Sequence, residues 1–406
     1  MPSVDELVGS VKIPTDLSSE QVRIRYNESS SVIGQNGRKI TLNFPKLVNR
    51  FLDLSSVRLD FTFDSTGDSQ MDAYSYSSLF QRVVVKSSST VLMDIQDYGT
   101  LATTLAHTDT TVNTNYNDRL TQGLFLSQAE AKTAAVANRV SLKFVAGTIL
   151  NCPALLPLDK LNGFLSLELY LADPRKILFS ATNDLLATYS MTDIQLICEY
   201  IASPSLTQYY NTQSINFSVS NWTHRYQQVQ DLKSILRLPS AYNSLCRVLI
   251  GVRLQNLVDS LSDLNIPDRQ QRFLHYSYIS ELQCYVNNRP FFSEPISDVR
   301  LLTELWHEAK DSFPGLGSTA YYTDVSNMVQ VNGCPFIGIN LCSAPSKFSK
   351  GIVSGLKTTN MVSDMYITLN WASNLIQLGH TLCATCFLDN DARIYQDSSG
   401  NLQIEN

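Results

Sequence analysis

The stretch VVVKSSSTVLMDIQDYGTLATTL, residues 83–105, decides how this chain is read. A β-branched run, a polar turn and a second short apolar run pass directly into a helical pattern. Ile95, Tyr98, Leu101, Ala102 and Leu105 fall at helical spacing and form one apolar stripe. The same succession returns as LQCYVNNRPFFSEPISDVRLLTEL, residues 282–305, where Ile296, Val299, Leu302 and the following Trp306 supply the stripe. Ser293 and Pro295 stand ahead of that second helix, and Pro is favoured in a first helical turn. A strand hairpin running into an amphipathic helix, met twice, predicts two units built alike.

Outside these two stretches, alternation dominates. In VRLDFTF, Val57, Leu59, Phe61 and Phe63 share one face, with Arg58, Asp60 and Thr62 on the other. In FLSLELYL, Leu165, Leu167, Leu169 and Leu171 alternate with Ser166, Glu168 and Tyr170. A period of two marks strands with one buried and one wetter face, which suits antiparallel sandwiches. Further strands are predicted at 22–26, 39–44, 79–86, 141–145, 191–201, 215–219, 246–254, 280–286, 334–341, 365–371 and 381–388. A helical segment at 127–140 has no counterpart in the other half and reads as part of an inserted loop.

The two halves run in parallel at an offset of 200 positions. Leu101 and Leu105 correspond to Leu301 and Leu305, and Leu165, Leu167, Leu169 and Leu171 to Met365, Ile367, Leu369 and Trp371. Tyr74 and Tyr76 precede the first strand–turn–strand–helix unit as Tyr276 and Tyr278 precede the second. Three features that keep order and spacing predict a duplicated domain. The polar stretch 202–214 lacks periodicity and marks the boundary. The expected division is an N-terminal arm 1–20, a first jelly roll 21–204, a linker 205–214, a second jelly roll 215–395 and a C-terminal tail 396–406. Each half has length for an eight-stranded sandwich with one or two long loops. The predicted fold class is all-β with a few short helices, as two tandem antiparallel jelly-roll sandwiches.

Composition narrows the function. Only 17% of the 406 residues are charged while 44% are hydrophobic, a balance that favours short strands over helical bundles. A net charge of −6 argues against a general nucleic-acid binder, and the first twenty residues carry no basic cluster. They also lack the apolar core of a secretory signal, and no run of about 18 apolar residues suggests a membrane-spanning helix. The sequons at Asn27, Asn216 and Asn221 read as chance matches in a Ser/Thr-rich chain. The eight cysteines, Cys152, Cys198, Cys246, Cys284, Cys334, Cys342, Cys383 and Cys386, lie mostly in apolar strand-like runs. They read as free thiols of a reducing compartment, with paired disulfides the open alternative.

Motifs for chemistry are weak. Gly315, Gly317 and Ala320 in FPGLGSTA match a dinucleotide pattern loosely, without the strand and helix that pattern needs. His380, Cys383 and Cys386 have metal-like spacing, but no fourth ligand is evident, and on a strand the two cysteines point to opposite faces. His307 lacks the second His of a metalloprotease helix and reads as exposed. Asp389 and Asp391 in DNDARIYQD lack the Gly and distal Glu of an EF-hand and read as a polar turn after the last strand. No catalytic, cofactor-binding or metal-binding residue is expected.

FLDLSSVRLDFTF, followed by LFQRVVVKSSSTVLMDIQDYGTLATTL, resembles the opening of the first barrel in double jelly-roll major capsid proteins. That lineage includes adenovirus hexon, virophage and polinton-like capsid proteins, and shells of other tailless dsDNA viruses. PLDKLNGFLSLELYLADP, then YSMTDIQLICEYIASPSL, is similar to the closing strands of such a barrel and its exit into the linker. The resemblance covers residues 20–395 as a pattern of order and spacing. It implies a structural, non-enzymatic capsid subunit forming homotrimeric, pseudo-hexameric capsomers of an icosahedral shell. It implies neighbouring capsomers, penton and minor capsid proteins as partners, leaves an internal membrane open, and implies no sequence-specific nucleic-acid binding. The implied location is the virion, after synthesis and assembly inside the host cell. The alternative is a two-domain β-sandwich carbohydrate-binding or attachment protein, with Tyr209, Tyr210, Tyr321 and Tyr322 as candidate contacts. A glycan-processing enzyme is the third reading and would need convergent carboxylates in a pocket.

Overall fold

The structure, a computed structural model, describes residues 17–26, 31–72, 75–108, 139–229, 233–238, 242–255, 261–262, 264–265, 279–298, 301–302, 304–305, 308–309, 336–342, 355–359, 365–371 and 382–406. The first half contains β1 (Ser18–Arg25), β2 (Val32–Ile33), β3 (Lys39–Asn43), β4 (Phe51–Ser65), β5 (Gln70–Met71), β6 (Phe80–Ser87) and β7 (Thr90–Gln96). It continues through helix α1 (Tyr98–Thr108), β8 (Arg139–Lys143), β9 (Leu155–Leu156), β10 (Leu165–Leu171), α2 (Pro174–Ile177), β11 (Leu178–Phe179) and β12 (Tyr189–Ala202). After α3 (Pro204–Thr212) come β13 (Asn216–Val229), β14 (Lys233–Leu238), β15 (Leu245–Leu254), β16 (Ile279–Val286) and β17 (Arg289–Pro290). The chain closes with β18 (Phe336–Asn340), β19 (Met365–Trp371), β20 (Leu382–Gln396) and β21 (Leu402–Glu405).

The sheet orders show what the offset of 200 stood for. In the first half the main sheets run β1-β12-β4-β8 and β3-β10-β6-β7; in the second, β13-β20-β15-β18 and β14-β19-β16-β17. Leaving out β2, β9 and β21, which lie off the main paths, and the separate β5–β11 pair, each half has eight strands among the described residues, the two-residue β17 included. Numbered along the chain, both halves read 1-8-3-6 and 2-7-4-5. That wrapping is a jelly roll, so the chain is a double jelly roll. β10 and β19, the seventh strand of each barrel, begin and end 200 residues apart.

The alternating residues build the cores. Val57, Leu59, Phe61 and Phe63 on β4, and Leu165, Leu167, Leu169 and Leu171 on β10, are all buried in the first core. Met365, Ile367, Leu369 and Trp371 are buried in the second. On the opposite face of β10, Glu168 is also nearly covered, held by Lys86 (2.8 Å), Lys39 (3.2 Å) and the Tyr170 hydroxyl (2.9 Å). Each helix is preceded by a two-residue hairpin, with a different turn in each half. Ser88 turns with φ 55°, and Asn287 and Asn288 turn with φ 53° and 63°, the left-handed pair a two-residue hairpin needs.

Several expectations are corrected. Ile95 belongs to β7 rather than to the helix, and α1 buries Tyr98, Leu101, Ala102 and Leu105. In the second half, Ile296 is extended and bridges Leu282 through two 2.8 Å hydrogen bonds. Leu301, Leu302, Glu304, Leu305, Glu308 and Ala309 are helical, while Val299 and Trp306 lie outside the described residues. Leu302 is buried and Leu301 is 46% exposed, so Leu302, not Leu301, is the partner of Leu101. The segment 202–214 is not irregular: α3 occupies it, capped by the Ser203 hydroxyl with Pro204 in the first turn. Arg139 and Val140, at the end of the helix expected over 127–140, start β8; residues 127–138 lie outside the described residues. Tyr76 is buried in a short 3-10 turn, and Tyr74, Tyr276 and Tyr278 lie outside the described residues.

Candidate functional site: the seam between the barrels

Along β20 the alternation disappears, and every residue from Leu382 to Asn390 is buried. A strand covered on both faces reads as a continuous apolar run. Ala384, Cys386 and Leu388 enter the second core. Phe387 instead joins Trp222, Leu249 and Phe336 in a cluster continuous with the first core. The outer face of the second barrel's β13-β20-β15-β18 sheet is therefore an internal surface, packed against the first barrel.

Polar groups lock this seam at both ends. At one end, Asn162 N–H donates to the Gly400 carbonyl (3.0 Å), and the Asn162 side-chain amide bonds Ser399. At the other, Asp97 sits at the β7–α1 corner in a left-handed conformation (φ 51°). Its carbonyl accepts Leu101 N–H (3.3 Å), and its carboxylate accepts the Thr100 hydroxyl (2.8 Å). The second carboxylate oxygen accepts from Arg253 (3.1 Å), a guanidinium only 3% exposed on the central strand β15. The same oxygen lies 3.8 Å from His224 Nε2, which shares a 2.7 Å hydrogen bond with Thr385. Burial pushes the His224 pKa down, outweighing the pull of Asp97, so the ring is neutral at pH 7. Contacts at both ends in this order stand the barrels side by side in one orientation.

A cleft of about 480 Å³ opens at the seam, lined by Arg82, Asp97, Tyr170, His224, Tyr226 and Arg253 among others. Arg82 is committed to Asp94 through two bonds of 2.7 and 2.6 Å. Thr385 is fully buried, so the His224–Thr385 contact gives no hydroxyl to a substrate. The arrangement joins barrels.

A second polar cluster corrects the reading of Asp389 and Asp391, which lie inside β20 rather than in a turn. Asp389 is 1% exposed and pairs with Arg247, 2% exposed, at 2.7 Å. Burial holds the Asp389 carboxyl up at about 6 despite Arg247, with Asp391 adding repulsion. Ser244 donates to Asp391 at 2.9 Å. The sequence carried a signal for these pairs: Arg247 and Arg253 interrupt the apolar run CRVLIGVRL, and a buried cation needs an acid.

Of the other candidates, Cys386 lies in the second core, its thiol pushed up to about 12, whereas Cys383 is buried on the same strand outside that cluster. Among the described residues no three His, Cys, Asp or Glu side chains are grouped to hold a metal. His307, Gly315, Gly317, Ala320, Tyr321, Tyr322, Cys334 and His380 lie outside the described residues, as does Asn27. Asn216 accepts from Arg393 and Asn221 donates to Asn406, both from β13. Tyr210 stacks on Phe51 at 5.4 Å and donates its hydroxyl to the Leu155 carbonyl, which ties it into the first barrel.

No family model and no curated protein matches the chain. Solved structures match it nearly end to end. A model of the PBCV-1 virus capsid aligns with TM-score 0.64 and 11% identity over 97% of this chain and 98% of its own. The Faustovirus major capsid protein aligns with TM-score 0.62 and 9% identity over 97% and 94%. The structure of the Sputnik virophage aligns with TM-score 0.55 and 11% identity over 96% and 88%. At such identities the likeness is one of fold, and it is the double jelly roll that the strand order gives.

Proposed function

We propose that this chain is the major capsid subunit of a tailless icosahedral virus, three copies closing into a capsomer of six barrels with a pseudo-hexagonal outline. The observation that carries the reading is the pair of like-wound barrels standing side by side on a buried seam, in a chain matched along its length by structures described as viral capsids. Residues 21–204 and 215–395 are the two barrels of this reading, with 205–214 between them, and its site is the virion. Neighbouring capsomers, penton and minor capsid proteins are its partners, and no side chain acts as a catalyst or holds a cofactor. Tyr210, one of the candidate contacts of the binding-protein reading, is engaged within the fold, and Tyr321 and Tyr322 lie outside the described residues.

The contact between copies is assigned to the outer face of β1-β12-β4-β8, which matches the seam face of the second barrel. Arg23, Ile197, Arg58 and Lys143 stand opposite one another across its four strands. Like charges in one cross-strand row repel, and Arg58 Nε is buried without a hydrogen-bond partner among the described residues. Glu294 and Asp298, exposed after β17, and Glu304 and Glu308, exposed on the helical residues that follow, give a neighbouring copy the complementary charge. Light scattering on wild type and Arg58→Glu tests this: trimer for the first and folded monomer for the second are expected. An unchanged trimer in the variant removes this face from the contact.

A further inference from the structure

We propose that Cys246 and Cys342 are a redox-responsive pair that closes to a disulfide when the protein meets a small-molecule disulfide such as oxidised glutathione. The inference rests on the second barrel alone and stands whether or not the chain assembles.

Cys246 is the extra residue of a bulge in β15: the pairing with β20 shifts between Leu245, opposite Asn390, and Arg247, opposite Asp389. A bulge re-aims the side chain it carries. On the other side of β15, β18 pairs Asn340 with Arg247, and Leu341 N–H donates to the Cys246 carbonyl at 2.8 Å. The chain leaves the sheet there. Cys342 N–H is held by the Asn340 side chain (3.1 Å), and the Cys342 thiol turns back to 3.6 Å from the Cys246 carbonyl oxygen and onto the Cys246 thiol itself. In that register Leu341, one residue earlier, stands opposite Cys246, so it is the departure of the chain from the sheet that brings the Cys342 thiol round to Cys246.

The surroundings separate the two roles. Cys342 is half-buried, whereas Cys152, Cys198, Cys284 and Cys386 are buried with thiols pushed up to about 12. The Cys342 thiol is shifted the other way, by its bond to Cys246 and by Arg247. As the more accessible and more acidic thiol it attacks first. Its thiolate bonds to one sulfur of the oxidant, the oxidant's S–S bond breaks, and one small thiol leaves with the electron pair. Cys246, which is buried, gives its proton to the Asp391 carboxylate it bonds, then attacks the Cys342 sulfur and expels the second small thiol. Two protein thiols are oxidised and one oxidant disulfide is reduced to two thiols.

The test treats the native protein with oxidised glutathione, then digests it without reductant. The expected result is a peptide joining Cys246 to Cys342, an intact mass two hydrogens lighter and a raised melting temperature. Cys342→Ser should show none of these. Cys246→Ser should instead accumulate glutathione on Cys342. A lasting glutathione adduct on Cys342 of the wild type, a link between other cysteines, or an unmodified protein overturns the proposal. Cys342→Ser, altered at a half-buried position, keeps the comparison available if Cys246→Ser does not fold.

Discussion

Asp389 lies inside a strand, fully covered, with its carboxyl held up at about 6 although Arg247 touches it. In the unfolded chain the same carboxyl titrates near its ordinary 3.8. Between those values the folded state binds a proton that the unfolded state does not, so stability is greatest below the window and is lost as pH rises through about 6. Asp389→Asn should flatten that slope by on the order of 1–3 kcal/mol, read as urea midpoints between pH 4 and 7. A slope equal to wild type would remove Asp389 as its source. Leu167 and Leu369 test the cores: each is fully buried, and Leu→Ala should cost about 2–5 kcal/mol in denaturant unfolding. Leu167→Asp and Leu369→Asp should leave no soluble assembled protein, because each buries an unpaired charge. These leucines were legible from alternation alone. Asp389 was not, since DND looks like a turn until β13 and β15 are laid beside it and the first barrel covers the face.

Elements were legible where one face stays wet. β4, β10 and β19 declare themselves by period two, and β19 has the predicted bounds. β20 was cut short because its continuation opens on Asp389, Asn390 and Asp391, acids and an amide, and Arg247, the partner of Asp389, lies far away in sequence. α3 was missed although Ser203 and Pro204 are a cap and a first-turn proline; its nine residues bury nothing fully, so no apolar stripe announces it. α1 was found by its stripe, but its start was placed early because Ile95 of β7 happens to continue the spacing. The helix is seated by close approach: a Cβ on Gly99 would lie 2.6 Å from Ser78 Cα. Gly→Ala on an open helix face stabilises by about 1 kcal/mol, whereas Gly99→Ala should destabilise by about 1–3 kcal/mol through overpacking. Chemical denaturation reads the sign directly, and a stabilised variant would mean that α1 does not rest on the turn at Tyr76–Leu79.

At the scale of the molecule, the duplication was readable from order and spacing, because both halves wind their strands in the same order and place the hairpin and helix at the same step. The seam was not, since it joins Asp97 to Arg253 and Asn162 to Gly400 across distances no local pattern spans. In the proposed capsomer, two like-wound barrels fixed side by side would supply one third of a six-barrel ring, and closing the ring with three copies would leave no open heterologous surface. Electron microscopy of the purified protein, with its mass measured in solution, tests that closure. Particles of three 45.4 kDa chains with six lobes in a pseudo-hexagonal top view are expected. Two-lobed particles of a single chain, persisting as the protein is concentrated, would contradict it.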